Sequence, residues 1–241
     1  TMRIFVTGAA GQVGSHVVDS AIARGDEVVG IDNFATGREV HVAISSHYNF
    51  VNGSISDTAL VDRLISQFKP DVIVHTAAAY KDPDDWLTDV ETNVRGMVNL
   101  VNAAKAVSVG RFVYFQTALI YGVKPEENPV SLQHPRRVDN SSYSISKGAA
   151  EDYLVLSGID YVTFRLANVV GQRNVSGPLP IFFKRLSEGK KCFVTPARRD
   201  FVYVGDLVKA VMMASHGTGN GAYHFSSGGD VAIIELYDAV V

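Results

Sequence analysis

The sequence predicts an α/β protein built on a doubly wound parallel sheet, with helices on both faces and a smaller C-terminal lobe. Three observations predict it. Short apolar runs alternate with stretches of helical apolar spacing through the first two thirds of the chain. A glycine-spaced turn, Thr7-Gly8-Ala9-Ala10-Gly11-Gln12-Val13-Gly14, joins the first such run to the first helical stretch. From about residue 169 the alternation gives way to loops rich in Gly, Pro and Asn between short elements. The expected division is therefore residues 2–168 for the sheet and 169–241 for the lobe. The lobe is interleaved with the sheet at its carboxyl edge, where ligands bind in such folds.

The elements follow in order. Residues 3–7 form a short β-type run, and 12–24 carry Val13, Val17 and Ala21 on one helical face. Residues 27–32 and 48–52 are again β-like. Asp57 is a candidate cap for a helix with Leu60, Val61, Leu64, Ile65 and Phe68 at helical spacing, ended by Pro70. Residues 71–76 form an apolar strand, and 86–107 form one long helical pattern. Strands at 111–117 and 160–166 flank a helix over about 142–156.

Composition excludes several functions. The 241 residues are 46% hydrophobic and 20% charged, enough apolar content to offset the entropy of ordering. A formal charge of −3 gives no general electrostatic attraction to nucleic acid or an anionic membrane. There is no apolar span of the roughly 18 residues a bilayer requires, and Ile4-Phe5-Val6 is too short for a signal peptide. The single cysteine, Cys192, has no internal partner, as suits a reducing cytoplasm. The seven histidines show no metal-ligand spacing, so no metal site is expected. Thr1 before Met2 reads as an expression remnant. The helical pattern from Ile233 reaches Val241 without a capping signal, so a longer natural chain is expected.

Two constellations carry chemistry. Gly8, Gly11 and Gly14 lack the Cβ that would keep a backbone from turning tightly and approaching a pyrophosphate. The helix opening at Gln12 and Val13 then offers free N–H groups and a partial positive charge. The second strand closes in Asp32, 18 residues after Gly14, where a carboxylate can hold the hydroxyls of an adenosine ribose and repel a 2′-phosphate. This favours NAD over NADP, with Arg38 nearby as the group that could favour the latter. The second constellation is Tyr143-Ser144-Ile145-Ser146-Lys147, which puts a phenol and an ammonium on one helical face. The ammonium is expected to lower the phenol pKa from about 10, fitting Tyr143 for proton exchange with a substrate hydroxyl. Thr117, at the end of the fifth strand, faces the same crevice and can bond the same oxygen.

At these residues the chain resembles the extended short-chain dehydrogenase/reductases, in particular the nucleotide-sugar epimerases and dehydratases. Further matching motifs are Val74-His75-Thr76-Ala77-Ala78, Thr92-Asn93-Val94-Arg95-Gly96, the run from Arg165 to Gly171, and Arg199-Asp200-Phe201-Val202-Tyr203-Val204. The likeness is strongest to bacterial UDP-sugar 4-epimerases. It implies a Rossmann-type sheet, bound NAD, a UDP-sugar substrate, a homodimer paired through the helices at 86–107 and 142–156, and a place in nucleotide-sugar metabolism for polysaccharide biosynthesis. By the same resemblance, NAD is held by Gly8, Gly11, Gln12, Val13, Gly14, Asp32, Asn33, Thr36, Gly37, Thr76, Ala77, Ala78, Asn93, Tyr143 and Lys147. Ser54 and Ile55 lie against adenine, where Ser54 replaces the usual Asp. Asn168 and Arg199 hold the substrate diphosphate. Lys81 reaches toward the sugar, with Thr117 and Tyr143 at the reacting carbinol.

The residues after Thr117 discriminate among reactions. Related 4,6-dehydratases carry an Asp-Glu pair there, and related decarboxylases carry a Glu at the second position. Here the positions are Ala118 and Leu119, which have no ionisable group. The expected reaction is epimerisation at C4 through a transient 4-keto sugar, with Thr117, Tyr143 and Lys147 catalytic. The alternatives are a 4-keto nucleotide-sugar reductase, a 4,6-dehydratase, and a non-catalytic NAD-binding regulatory protein.

Overall fold

The computed structural model describes residues 1–241. β1 (Arg3–Thr7), α1 (Gln12–Ala23), β2 (Glu27–Asp32), β3 (Tyr48–Asn52), α2 (Thr58–Phe68) and β4 (Val72–His75) open the chain. After them come α3 (Trp86–Asp89), a π-helical turn (Val90–Arg95), α4 (Gly96–Ala106), β5 (Arg111–Thr117) and a 3₁₀ turn (Ala118–Tyr121). α5 (Ser142–Ser157), β6 (Tyr161–Leu166), β7 (Asn168–Val170), α6 (Pro178–Ser187), β8 (Arg198–Arg199) and β9 (Phe201–Tyr203) follow. The last elements are α7 (Val204–Ser215), β10 (Gly221–Phe225), β11 (Val231–Ala232) and α8 (Ile233–Val240).

Seven strands form one parallel sheet in the order β10-β6-β5-β4-β1-β2-β3. Successive side chains of β1 go to opposite faces. Ile4 and Val6 pack with Val17 and Ala21 of α1 and Leu207 and Val211 of α7. Phe5 packs on the other face with Ile65 of α2, Leu100 of α4 and Leu154 of α5. The inner strands β1, β4 and β5 carry apolar runs because both their faces are covered.

The caps act locally. The Asp57 carboxylate accepts from the Leu60 N–H at 3.0 Å and starts α2, while Lys69, left-handed at φ 48°, ends it one residue before Pro70. Ser141 accepts from the Ser144 N–H at 3.1 Å and fixes the first turn of α5.

One expectation changes. The pattern over 86–107 is interrupted by the π-helical turn, where Asn93 faces inward and is 1% exposed. Its carboxamide bonds both the N–H and the carbonyl of Ala79 and donates to Ser146 Oγ at 3.0 Å. These three bonds turn the widened helix inward, which apolar periodicity does not register. Within residues 169–241, α7 packs on the main sheet and β10 pairs in it. What stands apart is small: β7 parallel to β9, β8 antiparallel to β11, and α6 against α8, where the rings of Phe182 and Tyr237 lie 5.5 Å apart.

Candidate active site

The strand order reverses between β1 and β4, and a cleft of about 670 Å³ opens there at the carboxyl ends of the strands. Its floor begins at the glycine turn. Gly8 has φ 65°, and a Cβ on it would stand 2.5 Å from Thr76 Oγ1 and 2.8 Å from the Ala77 amide nitrogen. The Thr76 hydroxyl in turn donates to the Thr7 carbonyl at 2.7 Å, locking the ends of β1 and β4 together. A Cβ on Gly14 would run into the Gly8 carbonyl oxygen. Gly14 therefore serves the packing of α1 under the turn and does not line the cleft.

α1 begins at Gly11 with no side-chain cap and no acidic residue in its first turn. Its leading N–H groups are left for an anion, and Gly8, Gly11, Gln12 and Val13 line the cleft beside them. Across the turn stands Asp32, 8% exposed, accepting from the Ala10 N–H at 3.0 Å and the Phe34 N–H at 2.7 Å. Asn33, Thr36, Ser54, Ile55, Ala77 and Ala78 complete this end. Gly37 lies behind the wall, where a Cβ would stand 2.9 Å from each Asp32 carboxylate oxygen. Arg38 is exposed and does not line the cleft. Bare helix N-terminal donors, a turn that excludes side chains and a carboxylate one strand away together fit a dinucleotide with a free ribose 2′-hydroxyl.

At the other end Thr117, Tyr143, Asn168 and Arg199 line the same cleft. The Thr117 hydroxyl oxygen accepts from the Leu119 N–H at 3.1 Å, which leaves its proton for another acceptor. Asn168 donates to the Asp200 carbonyl at 3.0 Å and also borders a small pocket of about 120 Å³ with Asn174. Ala118 and Leu119 line the wall where an acid–base pair would stand.

Lys147 does not face the cleft. It is 4% exposed, its Nζ donates to the Phe115 carbonyl at 2.7 Å, and it lies 4.2 Å from the centre of the Tyr114 ring. Burial brings its pKa down to about 7, against the pull of Glu151. Tyr143 departs from expectation too. Burial, with Tyr80 and Asp89 nearby, pushes its phenol up to about 12. The expected lowering by the ammonium is absent: burial outweighs it, and the Lys147 Nζ is turned to the Phe115 carbonyl. Asn93 sits behind the wall on Ala79, and Lys81 is exposed outside the cleft in the loop ahead of α3.

Sequence reasoning missed Tyr80, Thr88 and Thr92, all of which line the cleft. The signal was available for two of them: Thr88 and Thr92 are four apart on the helical stretch that enters the crevice, with Thr92 adjoining Asn93.

The fold and cleft define a dinucleotide-binding α/β protein with a strand-end threonine, Thr117, and a helical tyrosine, Tyr143, at the far end of the cleft. The family described as NAD dependent epimerase/dehydratase matches residues 4–224, and the chain belongs to it. It is 34% identical over 263 residues to the UDP-glucose 4-epimerase of Mycolicibacterium smegmatis, covering 99% of this chain and 82% of that protein. The Bordetella bronchiseptica enzyme WbmH, crystallised with NAD+, superposes with a TM-score of 0.98 at 66% identity, covering 100% of this chain and 80% of that one. WbmG of the same organism, crystallised with NAD and UDP, superposes with a TM-score of 0.94 at 41% identity, covering 99% of this chain and 77% of that one.

Proposed function

We propose that the protein is an NAD-dependent epimerase acting at C4 of a UDP-sugar, drawn from the UDP-glucose, UDP-glucuronate and N-acetylated types. The observation that carries the reading is one cleft with Asp32 at one end, Thr117 and Tyr143 at the other, and Ala118 and Leu119 where elimination would need an acid and a base. Bound NAD supplies a hydride acceptor for C4 and returns the hydride to either face of the resulting ketone.

The chain's own residues do the rest. Thr117 donates to the C4 oxygen and orients it. Tyr143 carries the proton of that oxygen. As a phenol held near 12 it is a proton donor, ready for the return half of the cycle. To accept the proton it needs a positive charge beside it. Lys147, one helical turn on along the same face of α5, is the cation we assign to supply that charge; its Nζ rests on the Phe115 carbonyl. Arg199 and Asn168 hold the diphosphate while the ketone turns over, the guanidinium by paired hydrogen bonds. The Asp32 carboxylate repels a 2′-phosphate and selects NAD. The site holds no acid–base pair for a 4,6-dehydratase, and the intact Tyr143, Thr117 and Lys147 argue against a non-catalytic regulatory role.

The same reading makes the protein a cytoplasmic homodimer. No helix is long and apolar enough to cross a membrane. Trp86 and Leu87 near the start of the helical run and Leu156 near the end of α5 are exposed apolar side chains suited to a second copy.

The deciding experiment incubates the purified protein with UDP-glucose, UDP-glucuronate and the UDP-N-acetyl sugars without added reductant. Formation of a C4 epimer from one of them is expected. Reduction of a 4-keto sugar with stoichiometric NADH, and no epimer from any sugar, would replace the epimerase with a reductase.

A further inference from the structure

Behind the cleft a buried polar network ties together the elements that carry Thr117 and Lys147. At its centre is Glu151 of α5, whose side chain is 4% exposed. One carboxylate oxygen accepts from Arg165 of β6 at 2.8 Å, and the other from Gln116 Nε2 at 2.8 Å. Gln116 is fully engaged. Its Nε2 also donates to the Lys147 carbonyl at 2.9 Å, and its Oε1 accepts from the Thr117 N–H at 2.9 Å. The carboxamide thus spans the strand residue that carries one reacting hydroxyl and the helical turn that carries the ammonium. A carboxamide can be turned end for end without changing its shape. The Lys147 carbonyl, which can only accept, and the Thr117 N–H, which can only donate, set which way round this one sits, and Glu151 takes the remaining Nε2 proton and so anchors it. Arg165, with Arg136 3.7 Å from the other oxygen, balances that carboxylate, and Arg165 goes on to donate to the Tyr121 hydroxyl at 2.7 Å, just beyond the Thr117 turn.

We infer that Glu151 is a positioning residue, which anchors Gln116 to α5 and β6 so that Thr117 and the Lys147 turn of α5 stay in register. This rests on the epimerase reading for its kinetic consequence, but not for its structural one. Glu151→Gln keeps the size, removes the charge and leaves one oxygen where Gln116 and Arg165 each had their own. In the NAD-loaded protein, kcat is expected to fall about tenfold or more while KM stays within about twofold, because the substrate grip at Arg199 is untouched. Gln116→Leu should give a similar loss, and the double variant should be no worse than Gln116→Leu alone, since the two act in series. Amide exchange at Thr117 should quicken about tenfold in Glu151→Gln, with Val6 in β1 unchanged. Where Glu151→Gln fails to fold because Arg165 is left uncompensated, Glu151→Gln with Arg165→Gln removes that ion pair, Arg136 keeping its own pair with Asp152, and carries the same measurements.

The inference is overturned by Thr117 exchange at the unaltered rate, by a kcat within about twofold of the unaltered protein, or by losses that multiply in the double variant. If no sugar is epimerised by the unaltered protein, the epimerase reading fails, and Thr117 exchange alone decides the role of Glu151.

Discussion

The Lys147 ammonium is tethered to the carbonyl of Phe115, one strand residue before Gln116, at 2.7 Å, and leans over the ring of Tyr114. Burial holds its pKa near 7. An unfolded chain has no such burial, so its lysine keeps a proton to about pH 10.4. Between about pH 7 and 10 the unfolded state binds more protons, and this residue's contribution to stability rises with pH. Relative to Lys147→Met, the ligand-free protein should gain up to about 1.4 kcal/mol per pH unit across that window and nothing below it. Denaturant titrations at several pH values check this, and parallel curves for the two proteins would contradict it.

Tyr143→Phe removes the proton carrier and keeps the ring. Turnover should fall about 10²- to 10⁴-fold, the usual contribution of a positioned acid or base. The amount of NAD bound per chain, measured by absorbance after denaturation, should not change. Full turnover by this variant would take Tyr143 out of the reaction.

Gly14→Ala forces a methyl group into the Gly8 carbonyl and displaces the turn over α1. A loss of about 1–3 kcal/mol is expected from overpacking, together with loss of NAD on purification. Gly25→Ala is the control for stability alone. Nothing lies within 4 Å of its Cβ position, but its φ is 78°, so it strains the backbone without touching the cleft. It should retain NAD.

Arg199→Ala removes a charged donor from the diphosphate end of the cleft. KM should rise about 10- to 100-fold, corresponding to the roughly 1.5–3 kcal/mol of a hydrogen bond to a charged group, with kcat changed little. An effect confined to kcat would move Arg199 from substrate binding to chemistry.

Sedimentation at micromolar concentration is expected to give a dimer. Leu156→Glu, which places a charge on a side chain now 79% exposed in the isolated chain, should give a monomer that still holds NAD. A dimer unmoved by Leu156→Glu and Trp86→Glu would put the interface elsewhere.

Much of the frame was legible because it is local. Asp57 announces the start of α2, and buried strands such as β2 and β5 write themselves as continuous apolar runs. The cleft's dinucleotide end follows from Gly8 and Asp32 for the same reason, since turn, helix start and strand end are consecutive in the chain. What sequence spacing missed depends on distant partners. The π-helical turn exists because Asn93 reaches Ala79 and Ser146, and nothing in a 3.6-residue period encodes that. The Tyr143–Lys147 spacing puts phenol and ammonium on one face, but the direction of Nζ is set by a carbonyl 32 residues away in β5.

The edge of the main sheet has a consequence for how the molecule is made. β10 closes that edge beside β6, yet it is translated only after β7, α6, β8, β9 and α7. Until residue 225 has left the ribosome, β6 presents a row of bare amides and carbonyls to any neighbouring nascent chain. Truncations ending between residues 170 and 220 should consequently accumulate as inclusion bodies, whereas those ending just past 225 should stay dispersed.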